Sequence, residues 1–285
     1  MKSLHKKALS AAAVALLSGV AMQSVYAADE PAAEAPEPSP VTANVTVTND
    51  YRYRGITQSN YQPAVQGGFD YAHESGLYIG NWNSTINWVS NATNNQTRAP
   101  IEMDFYAGFK KELIAEGFAS DFGVLQYFYP QSGGSYNGAM LNPNTTELYV
   151  AQNFTFGPVT GFVKVNYALT NIFGIPKSTG SFYPDLTANY DTGIWGISLN
   201  GHIGYQYVAG QPGNSGGVNQ AANNISYTDF KLGATKDFGG GLSLSAAYVS
   251  TNANPAWWNT FTGTNGAANG SAGRPGAIVS LTKVF

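Results

Sequence analysis

The stretch "VTANVTVTNDYRYRGITQ", residues 41–58, changes character at every second residue. Val41, Ala43, Val45 and Val47 alternate with Thr42, Asn44, Thr46 and Thr48. Asp50, Arg52 and Arg54 then alternate with Tyr51 and Tyr53 before Gly55. Period two is the signature of a β-strand with two different faces. In a water-soluble domain such a strand would bury a row of charges or expose a pair of tyrosines. A membrane barrel removes the conflict, because its lumen is wet and its outer face meets lipid. On that reading the even positions face the lumen, so Asp50, Arg52 and Arg54 line water. Tyr51 and Tyr53 face lipid at the outer interface, and Gly55 marks the turn into the first outer loop.

The same period recurs down the chain. "IEMDFYAGFK" sets Ile101, Met103, Phe105, Ala107 and Phe109 against Glu102, Asp104 and Lys110. Val65, Phe69 and Tyr71 oppose Gln66 and Asp70, and Leu148, Val150 and Phe154 oppose Glu147 and Asn153. Val163, Val165 and Tyr167 oppose Lys164 and Asn166; Phe230 and Leu232 oppose Asp229 and Lys231. With similar segments near 77–86, 122–129, 182–190, 196–207, 241–248 and 276–285, about twelve strands are expected. An even number suits a closed single-chain barrel.

Loop lengths separate a barrel from a sandwich. The connections after the second, sixth, eighth and tenth strands are short ("HESG", "GP", "DTG", "DFGGG"), and "KELIAEGFAS" after the fourth reads as a longer exception. Those after odd strands are mostly long and polar, among them "VSNATNNQTRAP" and "AGQPGNSGGVNQAANN". Short turns on one rim and long loops on the other are the asymmetry of outer-membrane barrels. The fold class is therefore all-β, an antiparallel up-and-down transmembrane β-barrel. Tyr51, Tyr53, Trp82, Trp88, Tyr127, Tyr129, Tyr205 and Tyr207 are expected at the strand ends, as interfacial girdles.

The N-terminus fits export. Lys2, Lys6 and Lys7 precede an apolar run over 8–21, and Val25 and Ala27 give a small-residue cleavage pattern, so residues 1–27 read as a signal peptide. Residues 28–40, "ADEPAAEAPEPSP", are too rich in proline and acid for a helix and read as a disordered linker. The barrel occupies 41–285, and the expected location is the outer membrane of a Gram-negative bacterium.

The run "DYRYRGITQS" resembles the hallmark of the TorF family, bacterial outer-membrane proteins assigned as porins. "GGFDYAHESGLYIGNWNS", "IEMDFYAGFK", "FYPQ", "TELYV", "YTDFKLGATKDF" and the terminal Phe285 match it in order. The resemblance covers nearly all of 41–285 and implies a porin barrel. It supplies neither a substrate nor catalytic residues. Lys283 departs from the usual barrel terminus, where an apolar or aromatic residue is expected; its long side chain can snorkel to the interface.

By parity the pore-lining candidates are Asp50, Arg52, Arg54, Asp70, Glu102, Asp104, Glu147, Lys164, Asp229 and Lys231. Acids outnumber bases in this set, which leans toward cations or neutral polar solutes. Arg52 and Arg54 are expected to face Glu102, Asp104 or Glu147 near a constriction. The function read from these features is passive diffusion of small polar solutes or ions. The alternative is a non-conducting structural or surface-binding barrel, in which the same charges pair and plug the lumen. Trp257 and Trp258 in "NPAWWNTFTG" are candidate ligand contacts of an outer loop.

A barrel enzyme is the remaining class, and it finds little support. Beyond the leader the chain has two histidines, His73 and His202. His73 falls in a short turn on the wrong rim. His202 shares lumen parity with Ser198 and Asn200, but neighbours on one strand do not make a triad. Asp185 and Asp191 read as loop or turn acids. With no cysteine, no cofactor or metal is expected. The net charge of −3 and the absence of a basic stripe argue against nucleic acid. The expected partners are the lipid bilayer and small solutes.

Overall fold

The computed structural model describes residues 39–92, 97–133, 142–210, 225–261 and 268–285. The signal-peptide reading at 1–27 and most of the linker lie outside them. Twelve antiparallel strands close into one barrel. In chain order they are β1 Val41–Thr48, β2 Ala64–Ala72, β3 Leu77–Thr85, β4 Ile101–Ala115, β5 Phe118–Phe128 and β6 Thr145–Phe156. The second half comprises β7 Val159–Ala168, β8 Phe182–Ile194, β9 Ile197–Gln206, β10 Tyr227–Asp237, β11 Leu242–Thr251 and β12 Gly276–Val284.

Every strand pairs with its sequence neighbours, and β1 pairs with β12 to close the wall, with Val45 opposite Lys283 and Thr48 opposite Ser280. Across that seam Thr46 and Thr282 share a hydroxyl hydrogen bond of 2.8 Å, and Ser280 Oγ donates to Thr48 Oγ1 at 2.9 Å. Closure leaves no unpaired edge, the condition for crossing a bilayer with strands. Among the described residues no helix is long and apolar enough to cross a membrane.

The packing is inverted relative to a soluble domain. Val47, Phe69, Ile79, Phe105, Leu186 and Leu199 point outward and are exposed, while Thr48, Asp70, Asp104, Glu147 and Thr187 are buried inside. A continuous apolar belt of this extent is what a hydrocarbon environment covers. Aromatic residues flank the belt. Phe156, Tyr190, Trp195 and Phe238 stand out near the short turns, and Tyr167, Phe182, Tyr205 and Tyr207 near the long loops. Only Tyr205 and Tyr207 belong to the girdle set expected from sequence. Tyr51, Trp82, Tyr127 and Tyr129 are instead buried inside the barrel, and Trp88 packs against that inner cluster.

"KELIAEGFAS" is not a long loop. β4 and β5 run on through it and turn at Glu116 and Gly117, with Gly117 at φ +80°. All five even-numbered strands that are followed by another strand thus end in tight turns. Lys283 points outward at this rim, where its ammonium donates to the Gly240 carbonyl.

Tyrosines lie flat on the inner wall where glycine leaves room for them. A Cβ on Gly80 would run into the Tyr106 ring and Asp70, and one on Gly204 would run into Tyr183. Each glycine lets a phenol reach an acid: Tyr106 donates to Asp70 at 2.5 Å and Tyr183 to Asp229 at 2.9 Å.

Candidate functional site

β1 ends at Thr48, and the chain then turns into the lumen rather than over the rim. Arg52–Tyr53 and Ile56–Thr57 pair with each other as a miniature hairpin inside the barrel. Its two central residues, Arg54 and Gly55, have φ of 46° and 77°. Positive φ at both positions is what a two-residue primed turn requires, and glycine at the second supplies it without strain. The lipid-facing placement of Tyr51 and Tyr53 is therefore overturned. Gly55 turns the inner hairpin, not the entry to an outer loop.

The hairpin is held at its base by Asp50. One carboxylate oxygen accepts from Thr57 Oγ1 at 2.6 Å and Ser59 Oγ at 3.0 Å, and the other from Arg52 Nε at 2.5 Å. Arg52 also donates to the carbonyls of Gly55 and Arg274. Its partners thus lie in its own loop and the last long loop, not among Glu102, Asp104 and Glu147.

The tip is anchored to the far wall. Arg54 donates to Glu147 at 2.7 Å and to Gln206 Oε1 at 2.6 Å, and stacks over Tyr183 at 4.2 Å. Glu147 is buried and also accepts from Asn166 Nδ2 at 2.9 Å. Tyr53 and Tyr127 join their hydroxyls at 2.7 Å. Tyr51 and Tyr129 donate to the two oxygens of Glu102 at 2.6 and 2.7 Å. Burial, and then the Glu102 carboxylate, push both phenols well above the ordinary tyrosine range, so each remains a protonated donor.

The other candidates distribute around this plug. Asp70 bonds Tyr106, and Asp104 is buried with its Oδ1 unpartnered. Lys164 lies over the Tyr149 ring at 4.2 Å. Lys231 is half-buried and sits opposite His202 in the β9–β10 register. His202 bridges Asp185 and Asp229, with both ring nitrogens 2.9 Å from a carboxylate oxygen. Asp185 is thus an interior acid of β8 rather than a loop residue, and Asp191 also lies in β8, exposed, where it accepts from the Gly193 amide at the irregularity near the strand's end.

Sequence reasoning missed two interior acids, Asp185 and Asp121. Asp121 is fully buried and accepts from Tyr78 at 2.6 Å. Parity carried the signal in both cases: Asp121 shares its phase with inward Leu125 and Tyr127, and Asp185 with inward Tyr183 and Thr187.

Two cavities flank the hairpin. One, of about 160 Å³, lies within the lumen. Its charged lining comprises Arg52, Arg54, Lys164 and Lys231, with Asp50, Asp185, Asp229 and His202. Glu102, Asp104 and Glu147 do not line it. The second, of about 220 Å³, lies under the long loops and is lined by Tyr53, Trp88, Phe173, Trp257 and Trp258 among others. Tyr53 belongs to both linings, so the hairpin stands between them.

Trp257 and Trp258 are partly buried in this mouth. Trp258 donates to the Ile225 carbonyl at 2.9 Å and packs edge-on against Tyr227 at 5.0 Å.

The family model described as "Bacterial protein of unknown function (Gcw_chp)" matches residues 32–285, and the chain belongs to that family. No curated protein sequence matches it. Among solved structures, the KdgM porin in complex with disordered oligogalacturonate shares 4% identity at a TM-score of 0.50, covering 86% of this chain and 97% of that one. The NanC porin shares 9% identity at a TM-score of 0.49, covering 86% and 98%. Pseudomonas aeruginosa OprD shares 11% at a TM-score of 0.41, covering 87% and 67%. At 4% identity the likeness to the KdgM porin is one of fold alone.

Proposed function

We propose that this member of the family is an outer-membrane porin of the kind the TorF resemblance implies, passing small polar solutes or ions by passive diffusion. The observation that carries the reading is a closed, apolar-belted barrel with a polar, charged interior that holds a cavity on each side of an inserted hairpin. The hairpin is the constriction, and solutes pass where it is displaced or skirted. Its tip is anchored by side-chain bonds, and its base by side-chain bonds plus one backbone bond, Thr57 N–H to the Ala272 carbonyl at 2.9 Å. None of them is part of the wall's backbone ladder, so the hairpin can loosen without opening the barrel. The leader at 1–27 and the linker at 28–40 fit export to the outer membrane.

The charge preference differs from the one expected by parity. The acids that tilted the count toward cations, Glu102, Asp104 and Glu147, are occupied behind the hairpin by phenols, an amide or Arg54, or are buried. The inner cavity faces a solute with near-balanced signs, in which Lys164 and Lys231 offset Asp185 and Asp229. Weak ion selectivity follows. Single-channel recording of the purified barrel under a salt gradient tests the reading: stable steps with a small reversal potential are expected. Folded, heat-modifiable protein that gives no steps would favour the non-conducting barrel, for which the seated hairpin is the specific argument.

A further inference from the structure

The mouth cavity has a chemistry of its own. Among the described residues, none of the side chains that line it carries a charge, in contrast to the cavity beneath the hairpin. Tyr53, Trp88, Phe173, Tyr227, Trp257 and Trp258 supply aromatic surface to it, and the amides of Gln58, Asn60 and Asn91 supply polar groups. Gln206 also lines it, but its amide is taken up by Arg54 and the Tyr207 carbonyl. The indole N–H groups of Trp88 and Trp257 are both buried and without a hydrogen-bond partner. Trp258 differs, since its indole donates to Ile225 O. Buried donors are normally satisfied, and two orphans on one cavity call for an acceptor.

Phe173 adds a second observation. It has φ 48°, which is unusual for a bulky residue, and is held there by a bond from its amide to Thr145 Oγ1 at 2.8 Å. In that conformation its ring packs edge-on against Tyr53 and Tyr127, each at 5.3 Å, between the hairpin and the cavity.

We propose that this mouth cavity binds a small neutral saccharide. The C–H faces of a sugar ring suit aromatic walls, and its hydroxyl oxygens are the acceptors that Trp88 and Trp257 lack. The surrounding amides pair with hydroxyls as both donors and acceptors. A charged sugar acid would meet no counter-ion there, and a purely apolar solute would leave both indoles and the amides unpaired. The inference deepens the porin reading by naming the solute class that meets the hairpin first. It rests on that reading for transport, whereas binding does not require conduction.

The test is calorimetric titration of the purified full-length barrel in micelles with glucose, galactose and maltose. Galacturonate serves as the charged probe and p-cresol as the apolar one. Saturable millimolar-range binding of a neutral sugar is expected, exceeding that of galacturonate and p-cresol. Trp257→Phe, which keeps a ring and removes the donor, should weaken it about tenfold. Trp88→Phe should do the same, and Trp257→Phe suffices if that variant fails to fold. Preference for galacturonate or p-cresol, absence of saturable sugar binding, or unchanged affinity in Trp257→Phe would each overturn the proposal. Conductance recorded on the same preparation separates the two readings. Steps without sugar binding sink this proposal alone, and sugar binding without steps sinks the porin reading alone.

Discussion

Replacing Arg54 by alanine attacks the constriction at its tip. The guanidinium donates to Glu147 at 2.7 Å and to Gln206 at 2.6 Å, and it lies over the rings of Tyr53 and Tyr183 at 4.7 and 4.2 Å. Removing one partner of a buried ion pair costs about 3–5 kcal/mol, because the other charge is left uncompensated. Glu147 keeps Asn166 at 2.9 Å and the more distant Tyr127, which places the loss at the low end, about 3 kcal/mol. The backbone ladder of the wall does not run through this pair, so the loss falls on seating of the hairpin. The ratio of displaced to seated hairpin should rise by about a hundredfold. The assay is single-channel recording of wild type, Arg54→Ala, Glu147→Ala and the double variant. Arg54→Ala should give larger or longer openings. The double variant should recover thermal stability, since no orphaned carboxylate remains, while staying open. Unchanged unitary conductance and open probability in Arg54→Ala, with the barrel folded by heat-modified migration, would refute the assignment of the hairpin as the constriction.

Other perturbations read different parts of the interior. Tyr51→Phe leaves Glu102 with Tyr129 as its remaining phenol and should cost about 1–3 kcal/mol, measured as a lower urea midpoint in micelles. Gly80→Val should push Tyr106 off Asp70 and cost about 2–5 kcal/mol by overpacking and the lost bond together; a midpoint equal to wild type would contradict the close approach. Lys164→Glu reverses one charge beside the inner cavity. A change of about 1–2 kcal/mol for a passing ion should shift the permeability ratio toward cations by about five- to thirtyfold, seen as a displaced reversal potential under a salt gradient.

The amount of the site legible in the sequence varies along a single segment. Val41–Thr48 alternates and lies in the wall; residues 50–54 alternate just as regularly and lie in the lumen. Parity assigns faces only while a strand stays in its sheet, and nothing in the alternation of charge and tyrosine marks the exit at Thr48. The tyrosines are ambiguous for a related reason. An amphipathic ring suits the lipid interface and equally suits a polar lumen where its hydroxyl finds an acid. Asp185 sits in a segment whose alternation is weak, so its place in a strand is hard to read, although its phase matches inward Tyr183 and Thr187.

The wall is legible in the chain alone. Period-two alternation, an even set of strands and the contrast of short turns with long loops leave an inverted, closed barrel as the arrangement that satisfies every backbone group in lipid. Which residues meet across the lumen was decided only in three dimensions. Arg54 finds Glu147 and Gln206, 93 and 152 residues away, and Tyr51 finds Glu102, 51 away. Strand periodicity is a local property fixed by the pleat. Cross-barrel pairing depends on register, curvature and the inward fold of one hairpin, none of which a single strand encodes.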